Sequence, residues 1–235
     1  MPIFTPVMIP FRHLLYATAC SLLWVGVQAV DVPIQGLYGT LKHDNYVAPG
    51  GIYSVRVPVL PELGGEITDT DSVVTFDDSV STHISLASFP LDMSQKWDLT
   101  EKGLRDYLSA FYVTYVLTDF QTRFPGSTAE ATLFVPELMD GSLMGFALLP
   151  GGSAFANQLT VGPGPEEPAP VAKRGNLLFV RGERIYVISI ELAERVTQRK
   201  FFNKTPEEEN TILRERLIQF AGRIQFPAPK PARKP

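Results

Sequence analysis

The chain has 235 residues, of which 45% are hydrophobic and 20% charged, with a formal net charge of −4. A chain of this length buries enough apolar surface to fold without disulfides or a structural metal. Its slightly acidic balance excludes binding to nucleic acid through counterion release, and a single cysteine excludes a disulfide framework within the chain.

Residues 1–29 have the organisation of a secretory signal peptide. Arg12 precedes an apolar stretch at residues 14–27, and Val27 and Ala29 occupy the −3 and −1 positions for cleavage after Ala29. About 14 apolar residues form a helix of roughly 21 Å, which is shorter than the ~30 Å hydrocarbon core of a bilayer. We therefore expect an exported chain, periplasmic or secreted, with no transmembrane span after cleavage.

Cleavage after Ala29 removes Cys20, so the mature chain contains no thiol and no cysteine ligand. The alternative interpretation takes residues 17–20 as a lipobox, which makes Cys20 a lipidated N-terminus. The leucine usually found three residues before such a cysteine is absent, and this favours cleavage after Ala29. Only His43 and His83 then remain, which excludes a multi-histidine metal site.

The first half of the mature chain predicts strands followed by one long helix. Strands are expected where apolar residues alternate or cluster between turn-forming residues. The helix is expected at residues 98–121, where Asp98 and Glu101 suit a capping box and apolar residues recur at spacings of four, three and four. In chain order the expected elements are a polar lead-in at 30–45 with one short strand near 36–41, strands at 52–59, 72–76 and 83–89, and the helix.

The second half predicts two β-hairpins and a closing helix. Asp140-Gly141 is a strong hairpin-turn signal, and Gly182 lies between the second pair of strands. The closing helix begins with Thr205, Pro206 and Glu208, which suit a capping box with proline at the first position. The expected elements are hairpin strands at 131–135 with 143–149 and at 176–180 with 184–190, a mobile loop at 150–172, the helix at 205–220, a short strand at 224–226 and a disordered basic proline-rich tail at 227–235.

This order of elements resembles the PsbP-like superfamily, which is named for the extrinsic subunit of photosystem II. The resemblance covers about residues 46–226 and rests on paired strands before a long helix, and on the closing strand, loop and helix at 182–226. It implies an α+β fold in one domain, a three-layer α/β/α sandwich with a mostly antiparallel sheet and two main helices. It also implies an accessory protein with a protein partner, and it carries no site residue onto this chain.

His83 is the candidate for a catalytic base. Ser81 and Ser85 lie two residues to either side of it, and Asp77 and Asp78 precede it. A serine nucleophile needs its base within about 2.6–3.2 Å, and the base needs an orienting carboxylate. Because residues two apart on a strand share a face without necessarily touching, a partly buried structural histidine is the favoured interpretation. A periplasmic hydrolase using a serine with His83 is the alternative.

Four aspartates, Asp69, Asp71, Asp77 and Asp78, form the densest acidic cluster and are the candidate ligands for a metal ion. Calcium takes 6–8 oxygen ligands from a defined loop. The glycine and the closing glutamate of an EF-hand are absent here. Solvated turn carboxylates are therefore the favoured interpretation, and we expect neither a metal nor a cofactor.

Phe111, Tyr112, Tyr115 and Phe120 follow one another along the predicted first helix. Such spacing favours packing of the helix on a sheet, and the alternative is that the rings line a ligand groove. The groove hypothesis makes the protein a small-molecule or lipid carrier. It predicts a cavity of at least roughly 300 Å³ under the helix at residues 104–115.

Residues 173–204 contain most of the basic residues of the second half, beginning with Lys173 and Arg174. Interleaved glutamates favour a solvated face of mixed charge over an anion-binding surface. With two histidines, no thiol and no recognisable nucleophile, the mature chain favours a non-catalytic role over an enzymatic one. We expect an exported accessory or binding protein that interacts with another envelope protein.

Overall fold

The computed structural model describes residues 36–156 and 169–228. The predicted signal peptide with Cys20 and Ala29, the central part of the predicted loop (157–168) and residues 229–235 of the predicted tail lie outside the described residues. No helix of the described ranges has the length and apolar character needed to span a bilayer.

Two sheets are present, and every strand pairing within the described ranges is antiparallel. The larger sheet has the strand order β4-β5-β6-β10-β9-β8-β7, and the smaller one β1-β2-β3-β11. The strands are β1 (Thr40–Lys42), β2 (Asn45–Val47), β3 (Ser54–Arg56), β4 (Glu66–Asp69), β5 (Val73–Asp77), β6 (His83–Pro90), β7 (Thr128–Val135), β8 (Ser142–Pro150), β9 (Val171–Arg181), β10 (Arg184–Glu191) and β11 (Ile224–Gln225).

The predicted first helix is a series of shorter helical segments. Its start was predicted wrongly, because Asp92 rather than Asp98 is the N-cap. The Asp92 side chain accepts a hydrogen bond from the Gln95 backbone, and the Gln95 side chain accepts one from the Asp92 backbone. Gly103, at φ 77°, separates the first two segments. The helices are α1 (Met93–Lys102), α2 (Leu104–Phe111), a π-helical segment (Tyr112–Leu117), α3 (Thr118–Arg123), α4 (Glu194–Thr197) and α5 (Pro206–Ala221), with 3₁₀ turns at Pro49–Gly51 and Pro61–Leu63.

The large sheet is the middle layer of three. On one face, the apolar residues of α2 and the π-helical segment pack against Leu143, Leu178 and Ile185. On the other face, α5 and the small sheet pack against apolar residues of β5, β6, β8, β9 and β10. Full burial of a leucine, isoleucine or phenylalanine side chain contributes about 1.5–3 kcal/mol to the stability of the fold. The α+β class and the three layers are confirmed, and the third layer contains a small sheet beside its helix.

The closing helix α5 begins as predicted. Thr205 accepts a hydrogen bond from the Glu208 backbone, and the Glu208 side chain accepts one from the Thr205 backbone at 2.9 Å. The hairpin turn before β8 also agrees with the sequence, because Met139, Asp140 and Gly141 all have positive φ. The expected loop at 150–172 is shorter at its C-terminal side, where β9 begins at Val171.

The expected solvated face of mixed charge is wrong at its first two residues. Lys173 is fully buried on the α5 side of the large sheet, where it pairs with Glu130 and, at 3.1 Å, with Glu209. Arg195 pairs with Glu209 at 2.6 Å. Because side chains alternate along a strand, Arg174 lies on the opposite face of β9, and it too is buried.

Candidate functional site

A cavity of about 870 Å³ lies between the large sheet and the helical layer, and we refer to it below as the sheet–helix cavity. Its floor consists of side chains of β5, β6, β10 and β9, and residues 111–123 form the wall above it. Small-molecule pockets typically have volumes of about 300–1,000 Å³. A cavity of the size that the carrier hypothesis requires is therefore present, but it lies under residues 111–123 rather than under the predicted 104–115.

Strand register arranges the floor in rows that cross the sheet. The first row is apolar and contains Val73, Ala87 and Val187, which are opposite one another on β5, β6 and β10. Two residues along, the second row is polar and uncharged. Its members, from β5 to β9, are Thr75, Ser85, Ser189 and Asn176.

Two residues further, the third row is charged. Asp77 is opposite His83 on β5 and β6, and Glu191 is opposite Arg174 on β10 and β9. At about 3.3 Å per residue, the apolar and charged rows lie roughly 13 Å apart. His83 and Arg174 of this row line the cavity, so its floor changes from apolar to strongly polar within the length of a small amphipathic molecule.

Three buried polar atoms at the floor have no hydrogen-bond partner within the described residues. They are Oδ1 of Asn176, Oγ of Ser189 and Nε of Arg174. The amide of Asn176 is oriented by its Nδ2, which donates to the carbonyl of Gly145 at 3.2 Å. Each buried polar atom left unsatisfied costs about 1–3 kcal/mol. Because these atoms have almost no exposed surface, a head group contacts them only when neighbouring side chains shift, and that contact recovers part of the cost.

The charged row is held by internal pairs. Nδ1 of His83 lies 2.5 Å from Oδ1 of Asp77, and Nη2 of Arg174 lies 3.4 Å from Oε2 of Glu191. Glu191 is fully buried and also accepts a hydrogen bond from the Ser153 hydroxyl at 2.6 Å. Burial lowers the pKa of Arg174, and the charge of Glu191 offsets part of this effect.

The four aromatic residues of the predicted first helix differ in what they contact. Tyr112 packs on the sheet, where a Cβ on Gly145 would lie 2.5 Å from its ring. Phe111, Tyr115 and Phe120 line the cavity. Phe111 and Phe120 are also buried in the packing between helix and sheet, so the expected packing holds, and a ligand for the cavity stays a prediction. The π-helical turn between these two residues is a local irregularity of the kind that is frequent at functional sites.

The structure brings together only some of the candidate catalytic residues. His83 and Ser85 line the cavity, and Asp77 holds the His83 ring. Ser81 lies in the preceding turn, where its backbone donates to Asp78 at 2.6 Å. Across the residues that the structure describes, no hydrogen bond joins His83 to either serine.

The four candidate metal ligands serve separate structural purposes. Asp69 accepts a hydrogen bond from the Tyr46 hydroxyl at 2.7 Å, and Asp71 one from a neighbouring serine. Burial raises the pKa of Asp78, but three backbone hydrogen bonds outweigh it, and its pKa lies below the ordinary value. Asp77 is paired with a histidine, and the described ranges contain no group of three potential metal ligands.

Asn176 and Ser189 were not predicted as site residues, and Arg174 was predicted only as part of the basic stretch at residues 173–204. The signal was present, because polar residues recur two apart in strands that are otherwise apolar. Arg174 and Asn176 stand on β9, and Ser189 and Glu191 on β10. Such a pattern places polar groups on one face of a buried sheet.

Comparison with known proteins gives structural similarity only. No family model and no curated protein sequence matches the chain. The Ran-binding protein Mog1p of Saccharomyces cerevisiae is similar at 13% identity and a TM-score of 0.44, over 75% of this chain and 91% of Mog1p. PsbP of the cyanobacterium Synechocystis sp. PCC 6803 is similar at 11% identity and a TM-score of 0.44, over 78% of this chain and 91% of PsbP.

A protein of Bacteroides thetaiotaomicron VPI-5482 is similar at 8% identity and a TM-score of 0.36, over 80% of this chain and 49% of that protein. The resemblance to PsbP proteins thus has a weak structural counterpart.

Proposed function

We propose that this protein is an exported, non-catalytic binding protein that holds a small amphipathic molecule in the sheet–helix cavity. The observation that carries the proposal is the graded floor, on which Val73, Ala87 and Val187 are followed by the unsatisfied polar atoms of Ser189 and Asn176. An apolar chain over the first row and a polar head over the second match this gradient.

The apolar part of such a ligand supplies most of the affinity. A chain of about eight methylenes gains about 6 kcal/mol on burial, at roughly 0.8 kcal/mol for each methylene. The cost of association removes part of this gain, so we expect dissociation constants between the millimolar and micromolar ranges. The polar row then selects among head groups.

Binding is tested with N-phenyl-1-naphthylamine, an amphipathic fluorophore without charge. We expect saturable fluorescence enhancement that is reduced at least tenfold in affinity by Ala87→Phe, because the added ring fills the cavity above β6. Ala131→Phe is the matched control, since Ala131 is an exposed alanine on strand β7. No saturable binding, or an equal loss in both variants, contradicts the proposal.

Export is a separate part of the proposal and rests on residues 1–29. Mass spectrometry of the protein from an exporting host is expected to find Val30 as the first residue. A lipid-modified Cys20 at the N-terminus supports the alternative of an anchored protein, and an intact Met1 in the cytosol contradicts export. We further propose that the protein partner is another envelope protein, which recovery from envelope extracts tests.

A hydrolase is the second candidate, because Asp77 orients His83 at the edge of the same cavity. The mechanism requires the Ser85 hydroxyl within about 3 Å of the His83 ring. Hydrolysis is measured on a panel of acyl esters. Turnover that His83→Ala abolishes supports the hydrolase. The absence of turnover in a protein that binds the fluorophore supports the binding protein.

A further inference from the structure

We infer that the ligand of the sheet–helix cavity has an uncharged head group that offers both a hydrogen-bond donor and a hydrogen-bond acceptor, as a primary amide does. This inference rests on the proposed function and names the chemical class of the ligand. It follows from two features of the cavity, the pairing of its charged side chains and the identity of its unsatisfied atoms.

The basic side chains that line the cavity already have carboxylate partners. Arg174 pairs with Glu191, and His83 pairs with Asp77. On the wall, Arg123 forms an ion pair with a carboxylate one helical turn before it. An anionic head group has to compete with these carboxylates and to lose its own hydration at the buried Arg174, which is costly.

The carboxylate of Asp92, which also lines the cavity, is engaged as well. It accepts a hydrogen bond from the backbone of Gln95 at 2.7 Å and thereby caps α1. A head group without charge therefore leaves every one of these arrangements intact.

The unsatisfied atoms of the floor differ in what they need. Oδ1 of Asn176 is an acceptor, Nε of Arg174 is a donor, and Oγ of Ser189 is both. A head group that satisfies the first two atoms must donate one hydrogen bond and accept another. A carboxylate only accepts, and a quaternary ammonium does neither. A primary amide provides both within one planar group.

The apolar row determines the remainder of the molecule. Val73, Ala87 and Val187 lie about 7 Å from the polar row, at two residues of strand rise. Phe111 and Val116 cover the cavity from the wall. The geometry is suited to a linear apolar chain that starts at the head group and runs along the strands.

The experiment compares three probes with the same ten-carbon chain length, namely decanamide, decanoate and decyltrimethylammonium. Each competes with bound N-phenyl-1-naphthylamine at pH 7 on the purified protein. We expect decanamide to bind at least tenfold more tightly than either charged probe. We expect Ser189→Ala to weaken decanamide about five- to tenfold and to change decanoate less than twofold.

Ser88→Ala is the matched control, because Ser88 is a buried serine on β6 whose hydroxyl interacts with Arg184 on the other face of the sheet. Its affinity for decanamide is expected to stay unchanged. Equal or tighter binding of a charged probe overturns the inference and leaves the proposed function in place. If the fluorophore itself does not bind, the proposed function fails and the inference fails with it.

Discussion

Replacing Ser189 by alanine is expected to stabilise the free protein, although it removes a polar group from the sheet. Ser189 is 7% exposed, and its hydroxyl has no hydrogen-bond partner in the part of the chain that the structure describes. A buried hydroxyl without a partner costs about 1–3 kcal/mol. Since alanine keeps the β-carbon and removes only the oxygen, we expect a gain of about 1 kcal/mol.

A gain of this size raises the melting temperature of a domain of 150–250 residues by about 2–4 °C. Urea titration and calorimetry measure the free energy and the melting temperature. Ser88→Ala provides the contrast, because its hydroxyl accepts a hydrogen bond from Nε of Arg184 at 2.9 Å. Loss of a hydrogen bond to a charged group costs about 1.5–3 kcal/mol.

The opposite signs of the two serine substitutions are the critical result. If Ser189→Ala destabilises the free protein as much as Ser88→Ala does, the Ser189 hydroxyl is satisfied without a ligand. That result refutes the claim that the Ser189 hydroxyl lacks a hydrogen-bond partner in the free protein, on which the proposed ligand chemistry depends. A gain in stability accompanied by weaker ligand binding is the expected outcome, because binding groups are often unfavourable for the free protein.

Three further predictions concern the scaffold. Thr205→Ala removes the N-cap of α5 and is expected to lower the free energy of unfolding by about 1 kcal/mol in urea titration. Ligand affinity is expected to stay unchanged, and a change in affinity would contradict a purely structural role of Thr205. Lys173→Met leaves Glu209 without one of its buried partners and is expected to cost about 3 kcal/mol, whereas a loss below ~1 kcal/mol would show that the pair is dispensable. Burial raises the pKa of Glu194, but hydrogen bonds from Arg216 outweigh it, so its pKa lies below the ordinary 4.5. The pair therefore stabilises the fold above about pH 4.5 and less as the pH falls through the folded pKa, and Glu194→Gln is expected to flatten the pH profile of stability in that acid range; an unchanged profile would exclude this contribution.

The sequence predicted the fold where local and tertiary signals agree. Thr205 and Glu208 cap α5 as expected, and Asp140-Gly141 turns the hairpin between β7 and β8. The start of the first helix was wrong, because Asp92 and Asp98 offer the same local signal. Asp92 follows Leu91, whose burial fixes where the chain leaves the sheet, and that contact is invisible in local sequence. The short edge strand β4 was missed for a different reason, because its residues are largely polar and give no apolar alternation.

The candidate site was only partly predictable. The pairing of Asp77 with His83 follows from a hairpin in which the two residues are opposite each other, and sequence proximity pointed to it. Arg174 and Ser189 come together only through the pairing of β10 with β9 and the choice of face. Sequence alone shows the two-residue period of the polar positions, but it does not show which of them face an unfilled space.

The central claim is that an amphipathic molecule occupies the sheet–helix cavity with its chain over the apolar row. The most direct measurement is of intermolecular NOEs between decanamide and the methyl groups of the methyl-labelled protein. We predict NOEs from the alkyl chain of decanamide to Val73, Ala87 and Val187, and none to Val74, which lies in the core on the other face of the large sheet. NOEs confined to exposed residues such as Met93, or no NOEs at all at saturating probe, would contradict the claim.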